Sequence, residues 1–572
     1  MIKTRIPPQN PEANLREYYK TYRAFSWSDF EKELTRSENG KVNIVNDAVD
    51  RWAAHPEKQK QPALVFEKGG KVRSLTYLDL KEQSCRWANL LVEKGFETGD
   101  RLFIFLSPCP EIYLAMLACA RLGVIFSAIF PTQGFDELEW MLTNAEPRGV
   151  LTDPDLVERL SQDAMQGVDH IFLTGDVTTG QFSQEILLAG VIDRMPTGFT
   201  NRTFPGETPL FLLYTSGSTG PPKGVLHAHK DMLGYVMTAR YVLDLNSDSV
   251  LWTDGDPAWV TGTVYGAFAP WLIGATSVVQ GAPFSASTWY RTLEKHQVSV
   301  WYTTPATLRR LMEAGDDLPR RYDFSHLRHV ATVGDTLIPD LFFWAREHLK
   351  RAPHDTWWMT ETGMICIANF PSEPIKPGSM GKPVPGIEAA VLDRDGNSLP
   401  ILTLGELALK TGWPSMLRGI WRDEERYGDY FLNGWFLTGD MVIKDEDGYY
   451  YHQGRNDDLI KIEQKFLGPY EIEQVIRLHP SVTEAAVIGK GASKGKPTVK
   501  AFVKVNPGFN PSARLSHEIR AFVKANLHTD IPLTEIEFLE ELPKTRSGKM
   551  LRRVLRAREL GLPTGDPSKL RE

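Results

Sequence analysis

The stretch that decides the fold runs Leu210-Phe-Leu-Leu-Tyr214 and then Thr215-Ser-Gly-Ser-Thr-Gly-Pro-Pro-Lys-Gly224. Its first five residues are apolar or aromatic, which is typical of a buried strand. The next ten hold four hydroxyl side chains, three glycines and one lysine. Glycines let backbone N–H groups turn towards one anion, hydroxyls add short donors, and Lys223 adds a positive charge. We predict a strand that leads into a polyphosphate-binding loop, the alternative being a Gly/Ser-rich surface loop.

This loop does not fit the common nucleotide-binding motifs. A Walker A sequence needs a glycine, four residues and then Gly-Lys-Ser/Thr, whereas here Pro222 precedes Lys223 and Gly224 follows it. The sequence also lacks a Gly-x-Gly-x-x-Gly turn in a strand–helix–strand setting. The pattern therefore indicates a nucleotide-binding protein outside both of those fold families.

Length and composition restrict the class of protein. At 572 residues, with 42% hydrophobic and 24% charged residues, the chain is predicted to be globular and to contain several subdomains. A formal net charge of −7 gives no electrostatic reason to expect nucleic-acid binding. The four cysteines lack paired metal-ligand spacing, so we expect reduced thiols and a cytoplasmic location.

Two regions bear on export and membrane insertion, namely residues 1–22 and residues 257–290. Residues 1–22 contain charges and prolines but no apolar core, so they do not resemble a secretory signal. Residues 257–290 carry no charge, yet glycines and prolines interrupt them, and they lack an uninterrupted apolar helix of about 20 residues. We therefore expect no membrane span, and we interpret 257–290 as buried loop-and-strand core.

The order of predicted elements indicates a mixed α/β fold with parallel strands. The predicted strands lie at 101–106, 124–130, 149–152, 170–173 and 298–303, and predicted helices lie at 110–122 and 305–313. Residues 376–450 are rich in Gly, Pro and aromatic residues, which favours antiparallel or barrel-like structure. From about Asp457 a last unit begins, and its length suffices for a small separate domain.

Four further motifs contain residue types that suit nucleotide chemistry. They are Asp355-Thr-Trp-Trp-Met-Thr-Glu-Thr-Gly363, Trp435-Phe-Leu-Thr-Gly-Asp440, Gly454-Arg-Asn-Asp-Asp458 and Pro543-Lys-Thr-Arg-Ser-Gly-Lys549. Thr360 and Glu361 offer hard oxygen ligands for Mg²⁺, and the Asp440 carboxylate could accept hydrogen bonds from ribose hydroxyls. Lys549 lies on a turn at the start of a basic helix, where it can project into a cleft. Taken singly, the first three motifs also fit ordinary packing or turns.

Together and in this order, the five motifs closely resemble those of the adenylate-forming (ANL) acyl-CoA synthetase superfamily, over residues 22–562. Three stretches are similar to the acetyl-CoA synthetase and short- to medium-chain acyl-CoA synthetase branch, namely Trp259-Val-Thr-Gly262, His354-Asp-Thr-Trp-Trp358 and Lys376-Pro-Gly-Ser-Met-Gly-Lys-Pro383. The resemblance implies a large N-terminal domain, residues 1–456, with two α/β subdomains and a β-barrel-like subdomain. It also implies a small, mobile α+β C-terminal domain, residues 457–572, that rotates about a hinge at Asp457.

The resemblance further implies a ligase that works in two steps. ATP and a carboxylic acid, with Mg²⁺, give an acyl-adenylate and pyrophosphate, and the thiol of coenzyme A then displaces AMP. The residues implied to be catalytic are Lys549, Thr360 and the Mg²⁺ ligand Glu361. Those implied to bind the ATP phosphates are Thr215, Ser216, Gly217, Ser218, Thr219, Gly220 and Lys223. Those implied to bind adenine or ribose are Gly334, Asp335, Thr336, Asp355, Thr356, Asp440 and Arg455.

The resemblance also implies where the acid binds. The implied acyl pocket consists of Val260, Thr261, Val333, Gly334 and Trp358. In acetate-type relatives the second tryptophan of the pair closes the pocket floor, and Trp358 occupies that position. We therefore expect an acid of about two to five carbons. Differences at Gly334-Asp-Thr336, Asp254 and Ala258 leave a hydroxylated or branched acid open.

After the implied hinge the chain departs from the family's usual Ser-Gly-x-Arg. Here it reads Glu463-Gln-Lys-Phe466, so Gln464 replaces the glycine and Phe466 the arginine. The glutamine would narrow the channel by which the CoA thiol reaches the adenylate, and Glu463 adds a repelling charge. Two alternatives stay open: an acyl-adenylate former that delivers to a carrier-protein thiol or an amine, and a nucleotide- or acyl-adenylate-binding protein without turnover.

Lys549 is also the position at which the resemblance implies regulation. Acetylation of this lysine occurs in relatives, and it would remove the positive charge on which the first step depends. A lysine acetyltransferase and a deacetylase are therefore partners that the resemblance implies.

Overall fold

The computed structural model describes residues 4–35, 40–215, 221–458, 460–462, 465–490, 498–527, 531–544 and 550–559. The chain divides into two compact units. The first comprises Met1–Glu388 and Thr411–Tyr430, and the second comprises Ala389–Lys410 and Phe431–Glu572. The division at Asp457 into parts that rotate against each other stays a prediction.

One mainly parallel sheet of the first unit has nine strands within the described residues. In spatial order they are Lys382–Pro383, Ile367–Ala368, Pro353–Trp357, His329–Thr332, Val300–Thr303, Val250–Thr253, Thr276–Gln280, Pro62–Lys68 and Lys71–Thr76. Six strands, from Pro353–Trp357 to Pro62–Lys68, run parallel. Several are buried along their whole length, as is usual for parallel strands covered on both faces.

A second sheet of the first unit has eight strands in the part of the chain that is described. In spatial order they are Gly419–Ile420, Lys223–Ala228, Pro209–Thr215, Ile125–Ile129, Arg101–Phe105, Gly149–Thr152, His170–Leu173 and Glu185–Leu187. The strand of the opening motif pairs parallel with Ile125–Ile129 on one side and antiparallel with Lys223–Ala228 on the other. The predicted loop therefore joins two adjacent strands of this sheet.

Helices cover these strands, and their ends follow from local sequence. The helical segments are Tyr18–Ala24, Trp27–Glu31, Asn46–Asp50, Arg51–Ala53, Tyr77–Glu93, Pro110–Leu122, Phe135–Ala145, Pro154–Val157, Ile192–Arg194, His229–Asp231, Met232–Tyr241, Val260–Thr263, Val264–Phe268, Ala269–Ile273, Ala286–Lys295, Pro305–Glu313, Pro319–Arg321, Pro339–His348, Thr360–Thr362 and Glu424–Gly428. Pro110–Leu122 starts with a proline, which needs no N–H partner there, and ends at Gly123 with a φ of 77°. Pro305–Glu313 is capped by the Thr304 hydroxyl, which accepts from the Thr307 N–H.

The second unit contains antiparallel and mixed sheets. Its strands are Ala389–Leu392, Leu404–Lys410, Phe431–Leu432, Trp435–Lys444, Tyr450–Arg455, Ile460–Ile462, Lys465–Leu467, Val482–Lys490, Thr498–Val505 and Leu533–Phe538. The first five form one sheet, the next two pair with each other, and the last three form another sheet. Its helical segments are Asn456–Asp458, Pro469–Arg477, Ala513–Asn526 and Arg552–Glu559.

The mixed α/β class is confirmed, and two details differ from expectation. In the residues described, the antiparallel region between 389 and 455 forms an open sheet and is not closed into a barrel. The prediction that residues 257–290 form loop-and-strand core is wrong. Val260–Ile273 is helical, and only Thr276–Gln280 is a strand before the helix Ala286–Lys295. Pro270 follows directly on the π-helical segment Val264–Phe268, and Gly274 ends the helix with a φ of 80°.

The expectations about membranes and thiols concern the same described residues. Among these residues, none of the helices combines the length and apolarity needed to cross a bilayer. All four cysteines are free, and burial raises the pKa of the Cys109 thiol to about 12. Thiols with such pKa values are protonated and unreactive at neutral pH.

Candidate active site

The two strands that flank the predicted phosphate loop pair with each other. Pro209–Thr215 pairs antiparallel with Lys223–Ala228, and Thr215 lies opposite Lys223. The Thr215 hydroxyl oxygen is buried and has no hydrogen-bond partner among the residues that the structure describes. The predicted phosphate-binding residues Ser216, Gly217, Ser218, Thr219 and Gly220 lie outside the described residues.

Three polar side chains, Lys223, Glu361 and Tyr430, form a group that we call the carboxylate cluster. The Lys223 ammonium forms an ion pair with Glu361 Oε1 and donates a hydrogen bond to the Tyr430 hydroxyl oxygen. The Tyr430 hydroxyl donates to Glu361 Oε1 over 2.9 Å, and the ammonium lies 4.9 Å from the centre of the tyrosine ring. The structure therefore brings the lysine of the loop into contact with the predicted metal ligand.

The charge state of Glu361 suits a Mg²⁺ ligand. Its side chain is only 4% exposed, and burial opposes ionisation, but the Lys223 ammonium and the Tyr430 hydroxyl hold the pKa of the carboxyl below its ordinary value. Among the described residues there is no group of three or more His, Cys, Asp or Glu side chains that could hold a metal ion. A single carboxylate fits Mg²⁺ that is shared with phosphate oxygens, because such ions keep few protein ligands.

Glu361 lies on a tight turn, Thr360–Thr362, that needs a glycine at its end. Gly363 has a φ of 70°, in the left-handed region. A Cβ there would lie 2.2 Å from the Ser415 carbonyl oxygen and 2.7 Å from the His227 ring, so no other residue fits. The turn is therefore in close contact with two other segments of the first unit.

Sequence reasoning missed Tyr430, although it contacts both charged members of the carboxylate cluster. It follows the short helix Glu424–Gly428 and belongs to none of the five motifs. The local sequence Tyr427-Gly-Asp-Tyr430 reads as the polar end of a helix. Only the spatial arrangement of the first unit shows its contact with Glu361.

The predicted adenine-binding residues follow or lie in two adjacent parallel strands. Gly334, Asp335 and Thr336 come shortly after His329–Thr332, and Asp355 and Thr356 lie in Pro353–Trp357. Thr332 is opposite Asp355 in the register of these strands. Gly334 has a φ of 97°, and a Cβ there would lie 3.1 Å from the Trp259 ring. The structure thus gathers these residues near the carboxyl ends of the strands, the edge at which open α/β sheets bind ligands.

Asp355 differs from the other predicted nucleotide residues because its carboxyl is buried inside the sheet. The Thr332 hydroxyl donates to Asp355 Oδ1 over 2.7 Å. Burial nevertheless raises the pKa of this carboxyl to about 8. At neutral pH it is therefore mainly protonated, so its side chain does not offer a negative charge to a ligand.

Three buried aromatic side chains, Trp358, Tyr302 and Tyr265, form what we call the aromatic wall. The Trp358 indole N–H donates to the Tyr302 hydroxyl over 2.9 Å, and the Tyr302 and Thr356 hydroxyls are 2.7 Å apart. The Tyr265 ring meets the Trp358 ring edge-on, with centroids 5.1 Å apart. An indole held by a hydrogen bond and an edge contact has a fixed orientation.

The other predicted acyl-pocket residues belong to the same unit. Val260 and Thr261 are 4% and 1% exposed, and they begin the helical stretch that also carries Tyr265. The Thr261 hydroxyl oxygen is buried without a hydrogen-bond partner in the described part of the chain. Val333 is buried, and its N–H donates to the Thr303 carbonyl over 3.0 Å. Tyr265 thus connects the Val260 segment to Trp358.

Two predicted ribose-binding residues, Asp440 and Arg455, lie in the second unit and contact each other. They are directly opposite in paired strands, and the Arg455 guanidinium donates to Asp440 Oδ1 over 2.9 Å. Gly439, which precedes Asp440 in the strand Trp435–Lys444, has a φ of 73°, and a Cβ there would lie 2.7 Å from Arg455 Nη2. The arginine therefore packs over the glycine and fixes the Asp440 carboxylate.

The predicted hinge and lysine are only partly covered by the structure. Asp457 is the middle residue of the helical turn Asn456–Asp458, directly after Tyr450–Arg455. Phe466 lies opposite Lys461 in a two-stranded hairpin, and Glu463 and Gln464 lie outside the described residues. Lys549 lies outside them as well.

Two family models match this chain. The AMP-binding enzyme family matches residues 49–421, and the AMP-binding enzyme C-terminal domain matches residues 471–549. The chain belongs to the AMP-binding enzyme family. The region of this AMP-binding enzyme that matches the first model contains Lys223, Glu361 and Trp358, whereas Tyr430 lies between the two matched regions.

Relatives of this AMP-binding enzyme include acetyl-coenzyme A synthetases. That of Bacillus subtilis (strain 168) is 43% identical over 570 residues, which are 99% of either chain. That of Methanothrix thermoacetophila is 36% identical, over 93% of this chain and 85% of its own. The crystal structure of the anthranilate CoA ligase AuaEII in complex with anthranoyl-AMP is similar with a TM-score of 0.83 at 26% identity, covering 93% of this chain and 99% of its own.

Proposed function

We propose that this chain is an AMP-forming acyl-CoA synthetase that activates acetate or a similar short carboxylic acid. The carboxylate cluster carries the proposal, because it places an ionised, buried Glu361 beside the lysine that ends the polyphosphate loop. The relatives named acetyl-coenzyme A synthetase support both the reaction and the acid. Such an enzyme consumes ATP and coenzyme A and releases AMP and pyrophosphate.

The first step joins the acid to the α-phosphate of ATP. A carboxylate is a poor electrophile, and the mixed anhydride with AMP gives it a good leaving group. Both reactants are anionic, so the step needs positive charge and hydrogen-bond donors more than acid–base catalysis. Lys223 and the Thr215 hydroxyl supply these for the β- and γ-phosphates, and Lys549 supplies charge between the acid and the α-phosphate.

Mg²⁺ fits the carboxylate cluster. Glu361 supplies an ionised oxygen, and Thr360 is the adjacent residue on the same turn. When bound, the ion neutralises charge on the phosphate oxygens. Lys223 and Tyr430 contribute by keeping Glu361 ionised and oriented.

The aromatic wall limits the acid to a few carbons. Trp358 fills the space that a longer alkyl chain would need, and its hydrogen bond to Tyr302 keeps it from turning away. Pockets distinguish neighbouring homologues by about 1–3 kcal/mol per methylene. A floor that cannot move therefore favours acetate and propionate over longer acids.

The second step, thioester formation, uses coenzyme A as acceptor in this proposal. Residues 457–572 rotate about Asp457 between the steps, and Asp440 and Arg455 bind the ribose hydroxyls. Gln464 and Phe466 border the entry of the thiol. Acetylation of Lys549 would switch off the first step by removing its charge, and we propose that the enzyme acts in the cytoplasm.

Two assays on the purified chain test this function. Acetate-dependent exchange of labelled pyrophosphate into ATP measures the first step, and CoA-dependent release of AMP measures the second. Both are expected with acetate and Mg²⁺. Exchange without CoA-dependent release would favour a different acceptor, and the absence of both over a panel of short acids would contradict the proposal.

A further inference from the structure

The turn that carries Glu361 is held at three successive carbonyl oxygens. The Thr360 carbonyl accepts from His227 Nε2 over 2.7 Å, the Glu361 carbonyl from the Leu417 N–H over 3.0 Å, and the Thr362 carbonyl from the Trp413 indole over 2.9 Å. Two of these donors, Leu417 and Trp413, come from residues 411–430 of the first unit. The third donor, His227, comes from the strand Lys223–Ala228, in which the predicted phosphate loop ends.

Both ring nitrogens of His227 have a polar partner, and the partner of Nε2 fixes the role of that nitrogen. A carbonyl oxygen only accepts, so Nε2 carries a hydrogen and donates to Thr360. Nδ1 lies 2.6 Å from Asp231 Oδ2, and Asp231 Oδ1 lies 3.1 Å from an Arg418 nitrogen. The Asp231–Arg418 ion pair thus holds the Nδ1 side of the ring while Nε2 faces Thr360. The ring is fully buried and tilted against Phe211 at 4.9 Å.

Lys223 and His227 are four residues apart on one strand, Lys223–Ala228. Side chains at even spacing on a strand point to the same face. Lys223 forms an ion pair with the Glu361 carboxylate, and His227 donates a hydrogen bond to the carbonyl of the peptide that precedes Glu361. A single strand therefore fixes this residue at two points, at its side chain and at its backbone.

We propose that His227 is a positioning residue for the first step. Its ring connects the Thr360 carbonyl, through Nε2, to Asp231 of the Asp231–Arg418 ion pair, through Nδ1, and so holds the Thr360–Glu361 turn at the distance from Lys223 that phosphate and metal binding require. This inference rests on the proposed function. Its consequence is that an N–H aimed at the Thr360 carbonyl matters more than the volume of the imidazole.

Amide substitutions separate that consequence from a general packing role. In His227→Gln the amide N–H can take the place of Nε2 and reach Thr360, whereas in His227→Asn it takes the place of Nδ1 and reaches only Asp231. His229 is a matched control, since it is also fully buried in the following turn, stacks on Phe204 with ring centroids 5.1 Å apart, and its Nδ1 lies 3.3 Å from the Ile44 N–H. Burial lowers the pKa of His229 to about 3, so it stays neutral.

The experiment measures pyrophosphate exchange, binding of Mn²⁺ with ATP by electron paramagnetic resonance, and melting temperature, for His227→Gln, His227→Asn and His229→Asn. We expect kcat of His227→Asn to fall about 100-fold, the loss that a shift of about 1 Å in a positioned group produces. Its Mn²⁺–ATP affinity falls with it. His227→Gln keeps kcat within about 10-fold of wild type, equivalent to one hydrogen bond of altered geometry. His229→Asn keeps wild-type kcat even where its melting temperature falls.

Two results would overturn the role of His227. One is wild-type kcat and Mn²⁺–ATP affinity in His227→Asn. The other is an equal loss in both His227 variants and in His229→Asn that follows the melting temperature. If the wild-type chain itself shows no acid-dependent exchange, the proposed function fails, and the Mn²⁺–ATP affinities of the variants still decide the role of His227.

Discussion

The carboxylate cluster and the aromatic wall are both buried in the first unit, yet different forces hold them. In the carboxylate cluster the opposite charges of Lys223 and Glu361 satisfy each other, with Tyr430 bonded to both. In the aromatic wall, Trp358 is held by a neutral hydrogen bond and by ring contacts. One region therefore depends on charge and the other on shape.

This difference indicates how each region meets its ligand. An anionic phosphate and a cation must compete for partners that Lys223 and Glu361 already have, so binding redistributes charges that the fold has brought together. Binding of the acid does not require the residues of the aromatic wall to change partners, because the shape of the wall is already formed in the absence of the acid. Changes in the first region should alter the handling of ATP and Mg²⁺, and changes in the second should alter the choice of acid.

The largest effect is expected from Glu361→Gln. The amide keeps the shape of the side chain but removes the charge that binds Mg²⁺ and balances Lys223, so exchange activity should fall about 1,000-fold, since several kcal/mol of charge stabilisation are lost. Steady-state pyrophosphate exchange measures this loss. Glu67→Gln is the matched control, because Glu67 is also buried, forms an ion pair with Lys295 and a hydrogen bond with His296, and lies outside the site. Near-wild-type activity in Glu361→Gln would contradict the metal-ligand role.

Trp358→Gly tests the other side of the comparison. Removing the indole opens the pocket, so the ratio of kcat/KM for hexanoate to that for acetate should rise about 100-fold, the scale of one or two methylenes in a hydrophobic pocket. The acid dependence of exchange at saturating MgATP measures the ratio. Trp301→Phe alters another buried tryptophan, which stacks on Trp252 at 5.7 Å, and should leave the preference unchanged. An unchanged preference in Trp358→Gly would show that the aromatic wall is not the pocket floor.

Tyr430→Phe should have a smaller effect, confined to ATP. It removes the hydroxyl that bonds to Glu361 and Lys223, and one charge-assisted hydrogen bond corresponds to about 1.5–3 kcal/mol, or at least 10-fold in kcat/KM for ATP. KM for acetate should not change. Tyr290→Phe serves as control, because the Tyr290 hydroxyl is buried without a hydrogen-bond partner among the described residues. A shift in acetate KM equal to the shift in ATP KM would remove the distinction between the two regions.

The last effect concerns stability and pH, with no change expected in the choice of acid. Asp355 has a folded-state pKa raised to about 8, so from about pH 4 to 8 the folded chain holds a proton that the unfolded chain has lost. The free energy of unfolding should therefore decrease as pH rises through this window, by on the order of 1 kcal/mol per pH unit from this group. Asp355→Asn should reduce that decrease in urea unfolding between pH 5.5 and 7.5. Identical pH slopes in both proteins would show that the carboxyl is ionised in the fold.

Much of the fold followed from local sequence where end signals and periodicity agree. The helix Pro110–Leu122 has the predicted bounds, because a proline can start it and Gly123 can end it. The prediction for residues 257–290 was wrong because the glycines and prolines of this stretch resemble loop signals. In the structure those residues end helices or fit close contacts, as at Gly262, where a Cβ would lie 2.1 Å from the Asp256 carbonyl oxygen.

The candidate site was predictable where it lies in motifs and unpredictable where it depends on tertiary contacts. Lys223, Glu361 and Trp358 were predicted as site residues, because each belongs to a motif that lies in or directly after a strand. Tyr430 and His227 were not predicted as site residues. A tyrosine after a short helix and a histidine in a buried strand have no local signature of function, since their partners are brought to them only by folding.

Acid-dependent pyrophosphate exchange decides whether this chain activates a short acid with ATP. Wild-type pyrophosphate exchange is measured at saturating MgATP over straight-chain acids from acetate to octanoate. We expect the highest kcat/KM with acetate or propionate and a steep fall beyond about five carbons. Exchange that is greatest with octanoate, or that no acid supports, would contradict it.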